Sequence, residues 1–322
     1  MKRVREQLKI NEIHHKGIRG KGIAVAVLDS GIELHPDLKT QVIGFQDFIG
    51  GRKKPYDDFG HGTHVSGIIG GDGAYSFGNF QGIAPEVQLV ALKVLNQKGT
   101  GNLRNVMEGI SWIIDNGIRY GIRIVNLSFG ATFTGSREDQ RLMEGVEELW
   151  RLGYIVVASA GNHGPGENTV AVPGCSEQII TVGAGDDQLG GYVDGSYRKH
   201  YSGRGNPSGN VTKPDVVAPA HQIISCSGDY LKNRYYIAKT GTSMATPIVS
   251  GVLALMLQVN PFLTNYECKR IIKDTAANLG RDRLQQGSGM ICPERIMESL
   301  QKGQFNLVEG KSQYCYSDGF QI

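Results

Sequence analysis

Five short, mostly apolar runs alternate with helical patterns, and this alternation most constrains what the chain can fold into. Residues 23–28, 89–95, 124–128, 155–160 and 179–182 are rich in Val, Ile and Leu and too short for helices. They read as strands buried on both faces. Helical periodicity fills the gaps: from His61 to the glycines at 70–71, over 103–120 with Val106, Ile110, Ile113 and Ile114 on one side, and over 137–152. Alternation of this kind predicts a three-layer, doubly wound α/β fold, a mostly parallel sheet with helices on both faces. Further strands are expected at 216–218 and 222–225, and helices from Ser243, near 264–279 and near 293–301. Residues 1–20 read as a short helix and a Gly-rich turn, 44–60 as loop, and 185–213 as irregular or hairpin-like. No linker or repeat interrupts the pattern, so 1–302 is expected to be one domain and 303–322 a polar tail.

Composition excludes several classes of function. The net charge is +3, and the only basic blocks are Lys2-Arg3 and Arg52-Lys53-Lys54, which argues against a nucleic-acid partner. No uninterrupted run of 18 apolar residues occurs, so no membrane span is expected. Residues 1–9 are charged and lack the apolar core of a secretion signal. A cytoplasmic location is expected, the alternative being a secreted chain whose signal and propeptide are missing from this sequence. Cys175, Cys226, Cys268, Cys292 and Cys315 show no C-x-x-C spacing and fit free thiols in a reducing compartment. No feature specifies an oligomeric state.

The informative polar residues fall where strands end, the edge at which open α/β sheets bind ligands. Asp29 closes the first strand, Ser128-Phe129-Gly130 the third and Gly161-Asn162 the fourth, while His61 opens a helix. Ser243 follows a bare Gly241-Thr242 and opens an apolar helical pattern. On that stretch alone a helix cap is the better reading, with Pro247 tolerated in the first turn. The shared edge changes this and suggests an Asp–His–Ser hydrolase. A serine hydroxyl needs an adjacent base to become a nucleophile, an imidazole is suited to that task near neutral pH, and a carboxylate fixes its tautomer. Asn162 can offer an N–H to an oxyanion, together with the backbone N–H of Ser243.

Four motifs carry a resemblance: Val27-Leu28-Asp29-Ser30-Gly31, His61-Gly62-Thr63-His64-Val65-Ser66-Gly67, Ser159-Ala160-Gly161-Asn162 and Gly241-Thr242-Ser243-Met244-Ala245-Thr246-Pro247. In this order they resemble the subtilisin-like serine peptidases, over roughly residues 15–300, and the short start resembles the intracellular branch. The resemblance implies a triad of Asp29, His61 and Ser243, an oxyanion hole completed by Asn162, and protein or peptide substrates. It also implies that Gly99-Thr100-Gly101-Asn102 and Ser128-Phe129-Gly130 flank the bound peptide and pair with its main chain. Ala158-Ser159-Ala160 would wall the first pocket with residues 128–130, and Ala171 would lie near its floor. These residues are small and uncharged, so an apolar acyl-side residue is expected. Leu103 and Phe129 would border a second apolar pocket, or Leu103 simply packs in its helix; both readings stand. His163 would sit on the rim.

No cofactor or metal is expected to be required. Family members often bind calcium between the histidine helix and the next strand, but residues 73–82 here lack clustered Asn and Asp ligands. Asp37 matches a family ligand position, so a weak calcium site is the alternative. His64 reads as a buried structural histidine rather than half of an H-x-x-H metal pair. Asp57 and Asp58 read as solvated loop residues, and Asp215 as a turn or strand-start residue. The expected activity is peptide-bond hydrolysis through an acyl-enzyme. The rivals are a catalytically silent, peptide-binding protein of the same fold and an esterase, whose G-x-S-x-G elbow is absent.

Overall fold

The first apolar run becomes an interior strand of a seven-stranded parallel sheet in the computed structural model, which describes residues 1–209 and 211–302. Two short helices, α1 (Lys2–Gln7) and α2 (Ile10–His15), precede β1 (Ala24–Asp29), all six residues of which are buried. Then come β2 (Val42–Asp47), α3 (His61–Gly70), β3 (Gln88–Lys93), α4 (Leu103–Asn116) and β4 (Ile122–Leu127). They are followed by α5 (Arg137–Arg151), β5 (Ile155–Ser159) and β6 (Ile180–Ala184). A hairpin of β7 (Gly191–Val193) and β8 (Ser196–Arg198) leads to β9 (Val216–Ala218) and a second hairpin, β10 (Ile223–Cys226) with β11 (Tyr236–Lys239). Four helices close the described chain: α6 (Thr242–Val259), α7 (Asn265–Asp274), α8 (Arg283–Gln286) and α9 (Pro293–Gln301).

Strand order is β2-β3-β1-β4-β5-β6-β9. The chain runs from β1 out to the edge strand β2, returns to β3 beside β1, then crosses to β4 on the other side. The winding therefore reverses at β1, and the crevice beyond its carboxyl end is where such sheets bind ligands. Pairing sets Asp29 opposite Lys93 and Leu28 opposite Leu127 at this point. One layer is formed by α3 and α6, which pack on each other and on β1, β4, β5 and β6; α4 and α5 form the other, against β1 and β5.

Residues 44–60 are not all loop, because β2 occupies the sheet edge, where a partly exposed strand needs no continuous apolar run. Among the described residues α6 is the one helix long and apolar enough to cross a bilayer, and most of it is buried inside the molecule. Its Ser, Gly and Thr residues break the run, yet they let it pack closely in the core. A Cβ at Gly251 would lie 2.5 Å from that of Ile83, and Ser250 donates to Asn126 Oδ1 on β4 at 2.8 Å. Leu253, Leu255 and Leu257 are fully buried, and truncating one to Ala would cost about 2–5 kcal/mol. The helix starts at Thr242, so Pro247 is its sixth residue rather than part of the first turn and leaves the Ser243 carbonyl without its intrahelical N–H. The expected tail at 303–322 lies outside the described residues.

Candidate active site

Asp29 ends β1 and is 1% exposed; His61 is the first residue of α3. The imidazole Nδ1 lies 2.8 and 2.9 Å from the two carboxylate oxygens of Asp29. A carboxylate can only accept here, so Nδ1 carries the proton and the neutral ring keeps its lone pair on Nε2. The close approach depends on glycine: a Cβ at Gly62 would fall 2.2 Å from the Gly31 carbonyl oxygen and 3.1 Å from Asp29 Cβ. The Ser30 N–H donates to Asp29 Oδ1 at 2.7 Å and fixes the carboxylate further.

Asp57 is not a solvated loop residue, whereas Asp58 is exposed in its loop as expected. Asp57 is buried and accepts from Gly60 N at 2.7 Å, Thr63 N at 2.8 Å, Thr63 Oγ1 at 2.7 Å and Ser30 Oγ at 2.8 Å. Burial pushes its pKa up, but the bonds from Thr63, Gly60 and Ser30 outweigh that and hold it below the usual carboxylate range. It thereby satisfies N–H groups at the start of α3 that have no helical partner. Asp58 pairs at 2.6 Å with the fully buried Lys93, whose ammonium also donates to the Ser30 and Leu95 carbonyls at 2.5 and 2.9 Å. A polar clamp thus fastens the end of β1 to the loop that delivers His61. Sequence reading missed it because these groups come from three separate segments with no common spacing.

Ser243 is the second residue of α6, and of residues 241–257 it alone is not buried. Its N–H is among the first of the helix, which have no carbonyl one turn back. Asn162 arrives from β5 through Gly161, whose φ of +81° and 2.6 Å approach of a virtual Cβ to Ala171 both require glycine. Asn162 Oδ1 accepts the Thr242 N–H and the Thr242 hydroxyl, each at 3.1 Å.

His61, Asn162 and Ser243 line one cleft of about 600 Å³, with Asp29 behind the imidazole. Ser128, Phe129, Gly130, Ser159 and Gly161 form a wall of that cleft, and a second cavity of about 490 Å³ continues from it through Leu95, Gly99, Phe129 and Gly130. Thr100, Gly101, Asn102 and Leu103 border this second cavity, so Leu103 faces open space as well as its helix. Gly101, Asn102 and Gly130 are exposed, and a bridge between Ala131 and Val172 holds the 128–130 segment in place. Ala160 and Ala171 are 0 and 1% exposed and line neither cavity. They are placed behind the wall, the Ala171 methyl lying 2.8 Å from a virtual Cβ at Gly130; the surface expected of them belongs to Gly130 and Gly161. His163 lines the cleft, as do Phe59, Lys98, Asp194 and Arg198, which the sequence did not single out. These four come from loops and the β7–β8 hairpin, where no periodicity marks a face.

His64 is fully buried, and its Nε2 donates to the Ile223 and Ile237 carbonyls at 3.0 Å each, joining α3 to the β10–β11 hairpin. Asp215 is buried among Lys213 at 2.8 Å, Lys273 at 3.3 Å and Lys269 at 3.5 Å, rather than serving only as a turn residue. Among the described residues His35, Asp37 and Cys226 form the one cluster with metal-ligating atoms close together. Its atoms are engaged by protein. His35 Nδ1 accepts the Asp37 N–H and Nε2 donates to Tyr235 O, while Asp37 accepts from Tyr75 N and Tyr236 Oη at 2.8 and 2.6 Å. Burial pushes the Cys226 thiol well up, away from the thiolate a metal requires. Cys175, Cys226, Cys268 and Cys292 are unpaired; Cys315 lies outside the described residues.

Comparison with known proteins is consistent with this geometry. Residues 20–290 match the sequence model of the subtilase family. The chain is 41% identical over 272 residues to the serine protease AprX of Bacillus subtilis, covering 80% of this chain and 62% of AprX. It is 34% identical over 281 residues to M-protease of Shouchella clausii, covering 87% of this chain and 66% of that protein. The chain thus spans somewhat less than two thirds of either relative. The solved structure of Sphericase superposes with a TM-score of 0.72 at 30% identity, covering 84% of this chain and 91% of Sphericase.

Proposed function

This chain belongs to the subtilase family, and on that premise we propose that it is a serine endopeptidase working through Asp29, His61 and Ser243. The observation that carries the proposal is the two-oxygen contact of Asp29 with His61 Nδ1, in a cleft that the same imidazole and Ser243 line. Ser243 Oγ attacks the substrate carbonyl as His61 Nε2 takes its proton, and Asp29 stabilises the resulting imidazolium. The oxyanion is met by the Ser243 N–H and the Asn162 side-chain amide. Collapse breaks the C–N bond, and His61 returns the proton to the leaving amine. Water, deprotonated by the same imidazole, then attacks the acyl ester and frees Ser243.

Substrate is held as an extended strand between residues 99–103 and 128–130, by main-chain bonds that read few side chains. The uncharged wall of Ser128, Phe129, Gly130, Ser159 and Gly161 favours an apolar acyl-side residue, and Lys98, His163 and Arg198, which outnumber the acidic Asp194 in the cleft lining, disfavour Lys or Arg there. A serine-directed fluorophosphonate is expected to label Ser243, and Ser243→Ala to lose both labelling and peptide cleavage. Cleavage surviving in Ser243→Ala would overturn the mechanism. Absence of labelling in the folded, unmodified chain would instead favour a silent peptide-binding protein.

A further inference from the structure

Two sets of backbone carbonyl oxygens in this molecule converge on a cation that the chain itself supplies. The first lies in residues 73–82, the segment where family resemblance raises calcium. Arg5, on α1 and only 6% exposed, donates through Nη1 to the Gln81 carbonyl, through Nη2 to the Gly78 carbonyl at 2.7 Å, and through Nε to Asn11 Oδ1 at 3.1 Å. A guanidinium stays charged at any working pH. Two carboxylates reach this loop: Asp72 Oδ1 accepts the Ala74 N–H at 2.8 Å, and Asp37 has one oxygen on the Tyr75 N–H and the other on the Tyr236 hydroxyl. Calcium takes six to eight oxygens at about 2.3–2.6 Å. Here the converging carbonyls face a fixed positive charge and the carboxylates face N–H and O–H donors, so the residues present do not fit the ion.

The second set lies behind the cleft, at residues 177–181. Lys269 donates to the Glu177, Gln178 and Ile179 carbonyls at 2.8, 2.9 and 2.9 Å. Lys213, fully buried, donates to the Ile179 carbonyl, Thr181 Oγ1 and Asp215 Oδ2 at 2.9, 2.9 and 2.8 Å. Burial lowers Lys269 to about 7 against the pull of Asp215, so below that pH its ammonium sits on this turn.

We propose that Arg5, Lys269 and Lys213 fasten these two loops in the way a bound metal would, and that the folded chain neither needs calcium nor gains stability from it. The proposal concerns stability and stands apart from the reading of Ser243. The test is thermal unfolding of the full chain carrying Ser243→Ala, which removes self-cleavage, slightly below neutral pH, in excess chelator and in millimolar calcium. The two melting temperatures are expected to agree within about 1 °C. A rise of about 5 °C or more in calcium, the size expected of a ligand far above its dissociation constant in a chain of this length, would overturn the proposal. In the same background Arg5→Met is expected to lower the melting temperature in both buffers and to speed hydrogen exchange across 73–82, with Arg5→Lys recovering part of the loss. An Arg5→Met chain that melts and exchanges like its parent would also overturn it. If Arg5→Met does not fold, the chelator comparison alone decides.

Discussion

Asn162 Oδ1 accepts both the N–H and the hydroxyl of Thr242, each at 3.1 Å. An N–H can only donate, so the atom facing it is the amide oxygen, and the NH₂ of Asn162 is left for the cleft. Thr242 orients Asn162, and both Thr242 and Ser243 open α6. Under the proposed mechanism Asn162→Ala is expected to lower kcat by about 10²- to 10³-fold, the magnitude known for this donor in subtilisin itself, with KM little changed. Asn162→Asp keeps the acceptor for Thr242 and loses the donors, so it should be at least as impaired. An Asn162→Asp enzyme with normal kcat would exclude the oxyanion role.

Thr242→Val tests positioning alone. It removes one neutral hydrogen bond, worth about 0.5–1.5 kcal/mol, while keeping volume and the backbone bond. The expected result is a drop of about 2- to 10-fold in kcat without loss of fluorophosphonate labelling. Steady-state kinetics with a labelling control distinguishes this from misfolding.

Asp57 ties the loop before His61 to the start of α3, and its carboxyl is held below its ordinary pKa of 3.8. The unfolded state therefore takes up a proton first as pH falls. The stabilisation is fully present above the unfolded value and is lost as pH drops through the folded one. Asp57→Asn is expected to cost about 1–3 kcal/mol at neutral pH, from donors left poorly matched in a buried site. The gap between parent and variant melting temperatures should close as the pH falls below about 4. A gap that stays constant into the acid range would show that the Asp57 charge plays no part.

Substrate choice is checked with a peptide panel varied at the acyl-side residue. Phe and Leu are expected to exceed Arg and Lys by at least about tenfold in kcat/KM, the lower end of what a shaped apolar pocket discriminates. A preference for basic residues would mean that Asp194, the acidic residue in the cleft lining, governs the pocket in place of its uncharged wall.

The sheet was largely legible because a strand buried on both faces has to be apolar throughout, as β1 and β5 are. The edge strand β2 was not, since partial exposure frees it from that requirement. Asp29, His61 and Ser243 stand out in the sequence because each sits at an element boundary, where sequence punctuation is strongest. The clamp of Asp57, Asp58 and Lys93 and the cage around Arg5 do not, because their partners are mostly backbone carbonyls and N–H groups, which carry no residue signature. Ala160 and Ala171 lie one layer behind the cleft wall and not in it: a small buried residue and a small lining residue look alike in sequence.

Of the long stretch from Gly241 to Leu257, Ser243 alone is not buried. Under the proposed mechanism, engineering this helix for heat resistance is expected to move turnover as well. Ile83 and Gly251 pack where the same rod carries the hydroxyl, so substitutions meant only to toughen the interior are expected to be felt at the scissile bond.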